Sequence, residues 1–153
     1  MICEGLQLRH YQQRAVDAVW NEWNRGVEST LCVSATGTGK AVMISAIADR
    51  MPEGSRFMYI VHRDSLARQA AAQFRKWTSK SVQIELSEHG KGRTHSGNAD
   101  IVVAGVQSLR GRRGKYSRDE FEFVGTDESH RYAGNDWAEI VRYFNPMHRV
   151  GNT

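Results

Sequence analysis

A glycine-rich segment at residues 34–40 has the composition of a phosphate-binding loop. It lies between a short apolar run at 30–34 and a segment with helical character that begins at Lys40. Glycines let the backbone aim N–H groups at a phosphate, and a helix N-terminus adds a favourable dipole. The ammonium group of Lys40 can reach the β- and γ-phosphates of a nucleotide. The alternative is an incidental turn. The predicted nucleotide-binding residues are Thr36, Gly37, Thr38, Gly39, Lys40 and Ala41.

Ala41 departs from the usual pattern of such loops. The residue after the lysine is normally Ser or Thr, whose hydroxyl ligates Mg²⁺, and alanine has no side-chain oxygen. Water can fill the vacant position, so a nucleotide can still bind. The metal and the γ-phosphate would be held less firmly, and a misplacement of about 1 Å can cost on the order of a hundredfold in rate. We therefore expect hydrolysis to suffer more than binding.

An acidic pair, Asp127 and Glu128, closes a predicted strand at 121–126. An aspartate at a strand end beside a phosphate loop can hold Mg²⁺ through water, and the following glutamate can accept a proton from the attacking water. The alternative is a surface pair without a role, because Asp-Glu pairs are commonplace. The candidate catalytic residues are therefore Lys40, Asp127 and Glu128, with Asp127 as the metal ligand.

Helices and strands alternate along the rest of the chain. Apolar residues at helical spacing predict helices at 9–25, 40–50, 64–77, around 107–109 and at 137–144. Short apolar or alternating runs predict strands at 30–34, 57–61, 82–86, 101–104, 121–126 and 147–150. This order predicts an α/β fold with a central parallel sheet and helices on both faces. The inward face of the first helix is predicted to hold Tyr11, Ala15, Val16, Val19, Trp20 and Trp23.

Composition excludes several other classes of protein. The 153 residues are 40% hydrophobic and 25% charged, which suits one globular domain and argues against disorder. No apolar stretch approaches the ~18 residues of a membrane span, and no signal peptide is visible. Two cysteines without CxxC spacing predict neither a disulfide framework nor a thiolate zinc site. We expect a cytoplasmic domain (or one in a host cell, if viral) without a membrane partner, and its net charge of +4 permits nucleic acid as a partner.

Three further motifs flank the phosphate loop and the acidic pair. Residues 8–12 read Leu-Arg-His-Tyr-Gln, and two strand-and-turn motifs occupy 61–69 and 103–109. In this order the five motifs resemble the first RecA-like domain of superfamily-2 helicases and translocases of the DEAD/DEAH-box-like kind, over residues 6–153. The resemblance implies a single RecA-like P-loop domain at 1–153 that uses ATP and Mg²⁺ and acts on nucleic acid, with DNA favoured over RNA.

The resemblance also implies roles for particular residues. Gln12, together with Arg9, would read the adenine edge and favour ATP, while His130 would link the ATP site to a partner domain. The alternative for the first two is an exposed polar pair at a helix start. The residues implied to contact the nucleic-acid backbone, largely independently of sequence, are Arg63, Gln107 and Ser108. The alternative is that these three residues are ordinary helix-capping or solvated polar groups without a role in nucleic-acid binding.

Two departures from the family pattern bear on activity. Gly125 and Thr126 stand where members usually carry bulky apolar residues, and the chain stops at Thr153 in the lead-in to the third helicase motif. We therefore expect a truncated domain without the second RecA-like domain and its arginine finger, which is worth about 10³–10⁵ in rate. The predicted function is the ATP-binding N-terminal domain of a helicase or translocase, with little or no turnover and no unwinding alone. The alternative is a naturally short, non-catalytic nucleotide- or nucleic-acid-binding module acting as a regulator or decoy.

A basic run at residues 110–118 surrounds Tyr116. Interleaved basic and aromatic residues suit the task of following a nucleic-acid backbone, because cations pair with phosphates and rings stack on bases. A solvated connection between two elements is the alternative.

Overall fold

The structure is a computed structural model that describes residues 7–32, 39–85, 99–112, 116–127 and 135–152. The strands within these ranges are β1 (Ser29–Cys32), β2 (Phe57–Val61), β3 (Val82–Glu85), β4 (Ile101–Gly105), β5 (Phe123–Asp127) and β6 (His148–Asn152). The helices are α1 (His10–Asn24), α2 (Lys40–Asp49), α3 (Asp64–Trp77), α4 (Val106–Arg112) and α5 (Asn135–Tyr143). None of these helices is long and apolar enough to cross a membrane.

The strands form one parallel sheet in the order β1-β6-β5-β2-β4-β3. One apolar cluster joins α1, α2 and α3 to the face of the sheet that carries Phe57, and a second joins α4 and α5 to the face that carries Met58. Both faces are thus covered, and β2 and β4 are buried along their whole length, as parallel strands between two helical layers must be. The predicted α/β class with a parallel sheet is confirmed.

All described strands point the same way, so their last residues share one edge of the sheet, called here the carboxyl edge. The register pairs Val61 with Gly105 and Asp127 with Asn152, which aligns the ends of four neighbouring strands. In open α/β sheets this edge is where ligands bind, because the loops that leave the strands converge there. The candidate residues that follow strands are therefore carried to one side of the domain.

The inward face of α1 differs from the prediction at its first turn. Tyr11 is 38% exposed, whereas Gln12 is 6% exposed and lies in register with the buried residues Val16, Val19 and Trp23. The prediction for Tyr11 was wrong because the polar side chain of Gln12 has a hydrogen-bond partner nearby and can be buried instead. Its Oε1 accepts a hydrogen bond from the Arg9 N–H at 2.8 Å. A polar residue paired in this way can occupy the buried position.

Gly125 on β5 has a packing explanation. A Cβ atom at this position would lie 2.6 Å from Cζ of Phe57 and 3.0 Å from Cδ2 of Tyr59, both on the neighbouring strand β2. The two aromatic rings fill the space that a bulky residue on β5 would occupy. The unusual glycine before the acidic pair is therefore matched by large residues on the adjacent strand.

Candidate functional site

The candidate site begins at the N-terminus of α2. Gly39 precedes the helix with φ of +79°, the left-handed region that glycine adopts most readily. Its carbonyl accepts a hydrogen bond from the Met43 N–H at 3.0 Å, so Lys40 is the first residue of a regular helix. This is the arrangement that the phosphate-loop pattern predicts for its last two residues. The predicted residues Thr36, Gly37 and Thr38 lie outside the described part of the chain.

The carboxamide of Gln12 packs against Gly39. A Cβ atom at position 39 would overlap with Nε2 of Gln12, so the Gln12 carboxamide in its present position also favours glycine here. The start of α1 thereby contacts the end of the phosphate-loop segment, which the sequence motif did not indicate. Arg9 lies beside it with an exposed side chain. Recognition of adenine by Gln12 and Arg9 stays a prediction.

Lys40 and Asp127 line the same cleft, which has a volume of about 640 Å³. Asp127 is the last residue of β5, and Lys40 enters from the N-terminus of α2. Its lining also includes Tyr59 of β2 and apolar residues of α3, among them Leu66 and Phe74. A lysine, a helix N-terminus and a strand-end carboxylate therefore surround one space, large enough for a phosphate chain with a metal ion.

The side chains of this cleft fit a divalent cation, but they offer one oxygen ligand fewer than phosphate loops with Ser or Thr after the lysine. Asp127 offers a carboxylate, while Ala41 offers no side-chain oxygen. Ser45, one turn further along α2, does not replace the missing hydroxyl, because it is fully buried and its Oγ donates to the Ala41 carbonyl at 2.7 Å. Within the described ranges no cluster of three His, Cys, Asp or Glu residues could hold a metal. A magnesium ion here would complete its shell with phosphate and water oxygens.

Two of the three predicted nucleic-acid contacts lie together at the carboxyl edge. Arg63 follows β2, precedes the first turn of α3 and is exposed; Gln107 follows β4 and is also exposed. Ser108 is only 1% exposed, since it faces inward from α4 between two buried neighbours, Val106 and Leu109. The structure therefore does not place Ser108 on the surface shared by Arg63 and Gln107. Two other predicted residues, Glu128 and His130, lie outside the described residues.

Tyr116 in the basic run is a core residue. It is 8% exposed, and its hydroxyl donates to Oε2 of Glu85 at 2.9 Å. Its own carbonyl accepts a hydrogen bond from the Tyr143 hydroxyl at 2.8 Å. Tyr116 does not extend the surface of the basic run, because its ring packs among Phe121 and Phe144.

Glu85 was missed by the sequence reasoning. It is 4% exposed at the end of the edge strand β3, on the face opposite Ile84. The available signal was the alternation of the strand, which sends Val82 and Ile84 to one face and Glu85 to the other. A carboxylate at a position directed to the second apolar cluster indicates a buried polar contact, and Tyr116 supplies it.

The Tyr116 contact predicts loss of stability at alkaline pH. Burial and the neighbouring charge of Glu85 raise the pKa of Tyr116 above its ordinary value of 10.0. Above that pH the unfolded chain releases a proton that the folded chain retains, so the free energy of unfolding falls as pH rises. We expect the urea midpoint to decline less between about pH 9.5 and 11 in Tyr116→Phe than in the parent chain. Equal declines in both, with the exposed Tyr11→Phe as the reference variant, would contradict this assignment.

The chain is similar to known proteins over most of its length. Residues 5–153 match the family described as "Type III restriction enzyme, res subunit". IRC3 of Saccharomyces cerevisiae, provisionally named an ATP-dependent helicase, is 32% identical over 146 residues, which cover 90% of this chain and 21% of that protein. The chain thus spans about a fifth of the length of this relative.

Two solved structures share the fold. The Hef helicase domain of Pyrococcus furiosus superposes with a TM-score of 0.80 at 22% identity, covering 100% of this chain and 35% of that chain. The SWI2/SNF2 ATPase core of Sulfolobus solfataricus, solved in complex with dsDNA, superposes with a TM-score of 0.79 at 16% identity, covering 96% of this chain and 32% of that chain.

Proposed function

Since the chain belongs to the Type III restriction enzyme res subunit family and is a first RecA-like domain of the superfamily-2 helicases and translocases, we propose that it is the ATP-binding domain of a motor that acts on nucleic acid. The observation that carries this proposal is the cleft shared by Lys40 and Asp127. A cation at a helix N-terminus faces a strand-end carboxylate there. This pair is suited to a nucleotide phosphate chain and its metal ion.

Each candidate residue of the nucleotide site has a defined task in this proposal. Lys40 and the N-terminus of α2 would bind the phosphates, and Asp127 would hold Mg²⁺. Glu128, directly after Asp127, accepts a proton from the water that attacks the γ-phosphate. Gln12 and Arg9, at the start of α1, read the adenine. Bound Mg²⁺ would supply charge neutralisation at the phosphates.

Binding is expected to exceed turnover in the isolated chain. Ala41 removes one oxygen ligand from the metal site, and Ser45 is not positioned to compensate. Fast hydrolysis and unwinding would further require a second RecA-like domain that places an arginine finger on the γ-phosphate, worth about 10³–10⁵ in rate. His130 would carry the coupling to that domain.

Nucleic acid is the proposed partner at the carboxyl edge. Arg63 and Gln107 are exposed on adjacent strand ends, and both can contact phosphate oxygens without reading a sequence. DNA is favoured because a structure with the same fold, the SWI2/SNF2 core, was solved in complex with dsDNA. Ser108 is left out of this surface because it is buried.

A calorimetric titration with ATP, with and without Mg²⁺, tests the nucleotide site. We expect saturable binding that depends only weakly on Mg²⁺ in the parent chain. The variant Ala41→Thr restores a hydroxyl and should strengthen Mg²⁺-dependent binding about tenfold, equivalent to about 1.4 kcal/mol. Ala41→Val has a similar shape without the oxygen and should behave like the parent. Equal affinities for the threonine and valine variants would contradict a metal site beside position 41.

A second candidate function is a non-catalytic module that binds nucleotide or nucleic acid and regulates another motor. Ala41 favours it, because loss of the hydroxyl ligand is tolerated where turnover is not needed. DNA binding without detectable ATP binding, in both the parent chain and Ala41→Thr, would support this candidate. Steady, nucleic-acid-stimulated ATP hydrolysis by the purified chain would rule it out.

A further inference from the structure

A basic segment of the chain surrounds α3. Residues 62–84 contain a single acidic residue, Asp64, and five basic residues: Arg63, Arg68, Arg75, Lys76 and Lys80. This excess is as large as the net charge of +4 of the whole chain. A second basic segment, residues 89–118, has seven basic residues and one acidic residue, so the segment around α3 is one of two parts of the chain that can attract a polyanion.

Three of these cations share one solvent-facing stripe. Arg68, Arg75 and Lys76 are exposed on α3, and they lie opposite the buried face formed by Ala67, Ala71 and Phe74. We call these three residues the basic stripe. At a rise of about 1.5 Å per residue, the stripe extends about 12 Å along the helix axis.

Within the described residues, two members of the stripe contact neutral groups. Arg75 donates to the carbonyl of Val82 on the edge strand β3 at 3.4 Å, and Nζ of Lys76 lies 4.5 Å from the centroid of the Trp77 ring. By contrast, Arg25, Arg50 and Arg56 form ion pairs with acidic residues. Arg75 and Lys76 are thus held against neutral groups with their charge directed to solvent.

The stripe continues a surface that already has a proposed ligand. Arg63 lies at the carboxyl edge, α3 begins at the next residue, and the helix then runs along the flank of the domain toward the opposite edge of the sheet. A nucleic acid that contacts Arg63 and extends past the carboxyl edge would therefore meet Arg68, Arg75 and Lys76 in turn.

We propose that the basic stripe of α3 binds the phosphate backbone of nucleic acid, as an extension of the carboxyl-edge surface. Guanidinium groups can pair with phosphate oxygens in bidentate fashion, and the ammonium group of Lys76 adds a point charge. The recognition is of charge and spacing and does not depend on base sequence. This inference rests on the nucleic-acid partner of the proposed function.

The test is salt-dependent binding of a fluorescein-labelled DNA duplex of about 30 base pairs, measured by anisotropy. The stripe variant replaces its three residues with glutamine: Arg68→Gln, Arg75→Gln and Lys76→Gln. The matched control removes three exposed arginines elsewhere: Arg14→Gln, Arg25→Gln and Arg142→Gln. Both variants lower the net charge equally, so only the location of the charge differs, and circular dichroism confirms that both are folded.

Each lost phosphate contact should reduce the slope of log K against log salt by about 0.9. We therefore expect the slope of the stripe variant to fall by about 2 to 3, with at least a tenfold loss of affinity at low salt. The control should stay close to the parent. Equal effects in the two variants would overturn the proposed role of the basic stripe while leaving the proposed function intact. No DNA binding by the parent chain would overturn the stripe and also the nucleic-acid part of the proposed function, whereas ATP binding is tested separately.

Discussion

Replacing Lys40 with alanine is expected to lower the affinity of the chain for ATP about a hundredfold. Lys40 is the first residue of α2 and lines the cleft that also contains Asp127. Its ammonium group would make charge-assisted hydrogen bonds to phosphate oxygens, and such bonds contribute roughly 1.5–3 kcal/mol each. Calorimetric titration of the parent and the variant with MgATP measures the difference.

The matched control for this experiment is Lys80→Ala. Lys80 carries the same charge, but it precedes β3 at the opposite edge of the sheet, where its Nζ donates to the Met51 carbonyl. Its removal should leave ATP affinity within about twofold of the parent. Should Lys40→Ala bind ATP as tightly as the parent, the nucleotide site would have to lie elsewhere, and the phosphate-loop assignment would be lost.

Placing valine at Gly125 is expected to lower the free energy of unfolding by about 3 kcal/mol, the upper end of the usual cost of overpacking a core. The added Cβ would lie 2.6 Å and 2.9 Å from two ring atoms of Phe57, which is fully buried. The ring cannot move away easily, because Tyr59 and Phe74 pack against it. Urea denaturation of the parent and the variant measures the change.

A double-mutant cycle identifies the cause of this loss. Phe57→Leu removes the ring atoms that meet the new Cβ, so Gly125→Val should cost less in that background than in the parent. The expected relief is about 1–2 kcal/mol, within the range measured for residues in direct contact. Additive effects of the two substitutions would show that the cost does not arise from the ring of Phe57.

Local sequence patterns predicted the helices and strands well where the apolar residues follow one clear spacing, either helical or that of a strand. The predicted strand at 57–61 and helix at 64–77 match β2 and α3 at both ends. The predicted strand at 121–126 begins two residues later, at Phe123, although Phe121 is also buried. Burial periodicity is a property of neighbouring residues, whereas the end of a strand depends on which partner strand continues beside it.

The candidate site could be assembled from the sequence because each residue sits at a defined point of an element. Lys40 follows glycines at a helix start, and Asp127 ends an apolar strand, so the rule for parallel sheets brings both to the carboxyl edge. The cleft that they line agrees with this expectation. Their roles in binding ATP and Mg²⁺ remain predictions that the titrations test.

The sequence by itself determined the fold class, the order of the elements and the family, because these depend on periodicity and on motifs within short segments. Tertiary structure alone decided that Gln12 is buried against Gly39 while Tyr11 is exposed, and that Ser108 and Tyr116 face inward. It also decided that Gly125 accommodates the ring of Phe57. Gln12, Tyr116 and Gly125 each contact a residue from a distant segment (Gly39, Glu85 and Phe57), and only three-dimensional packing brings these residues together.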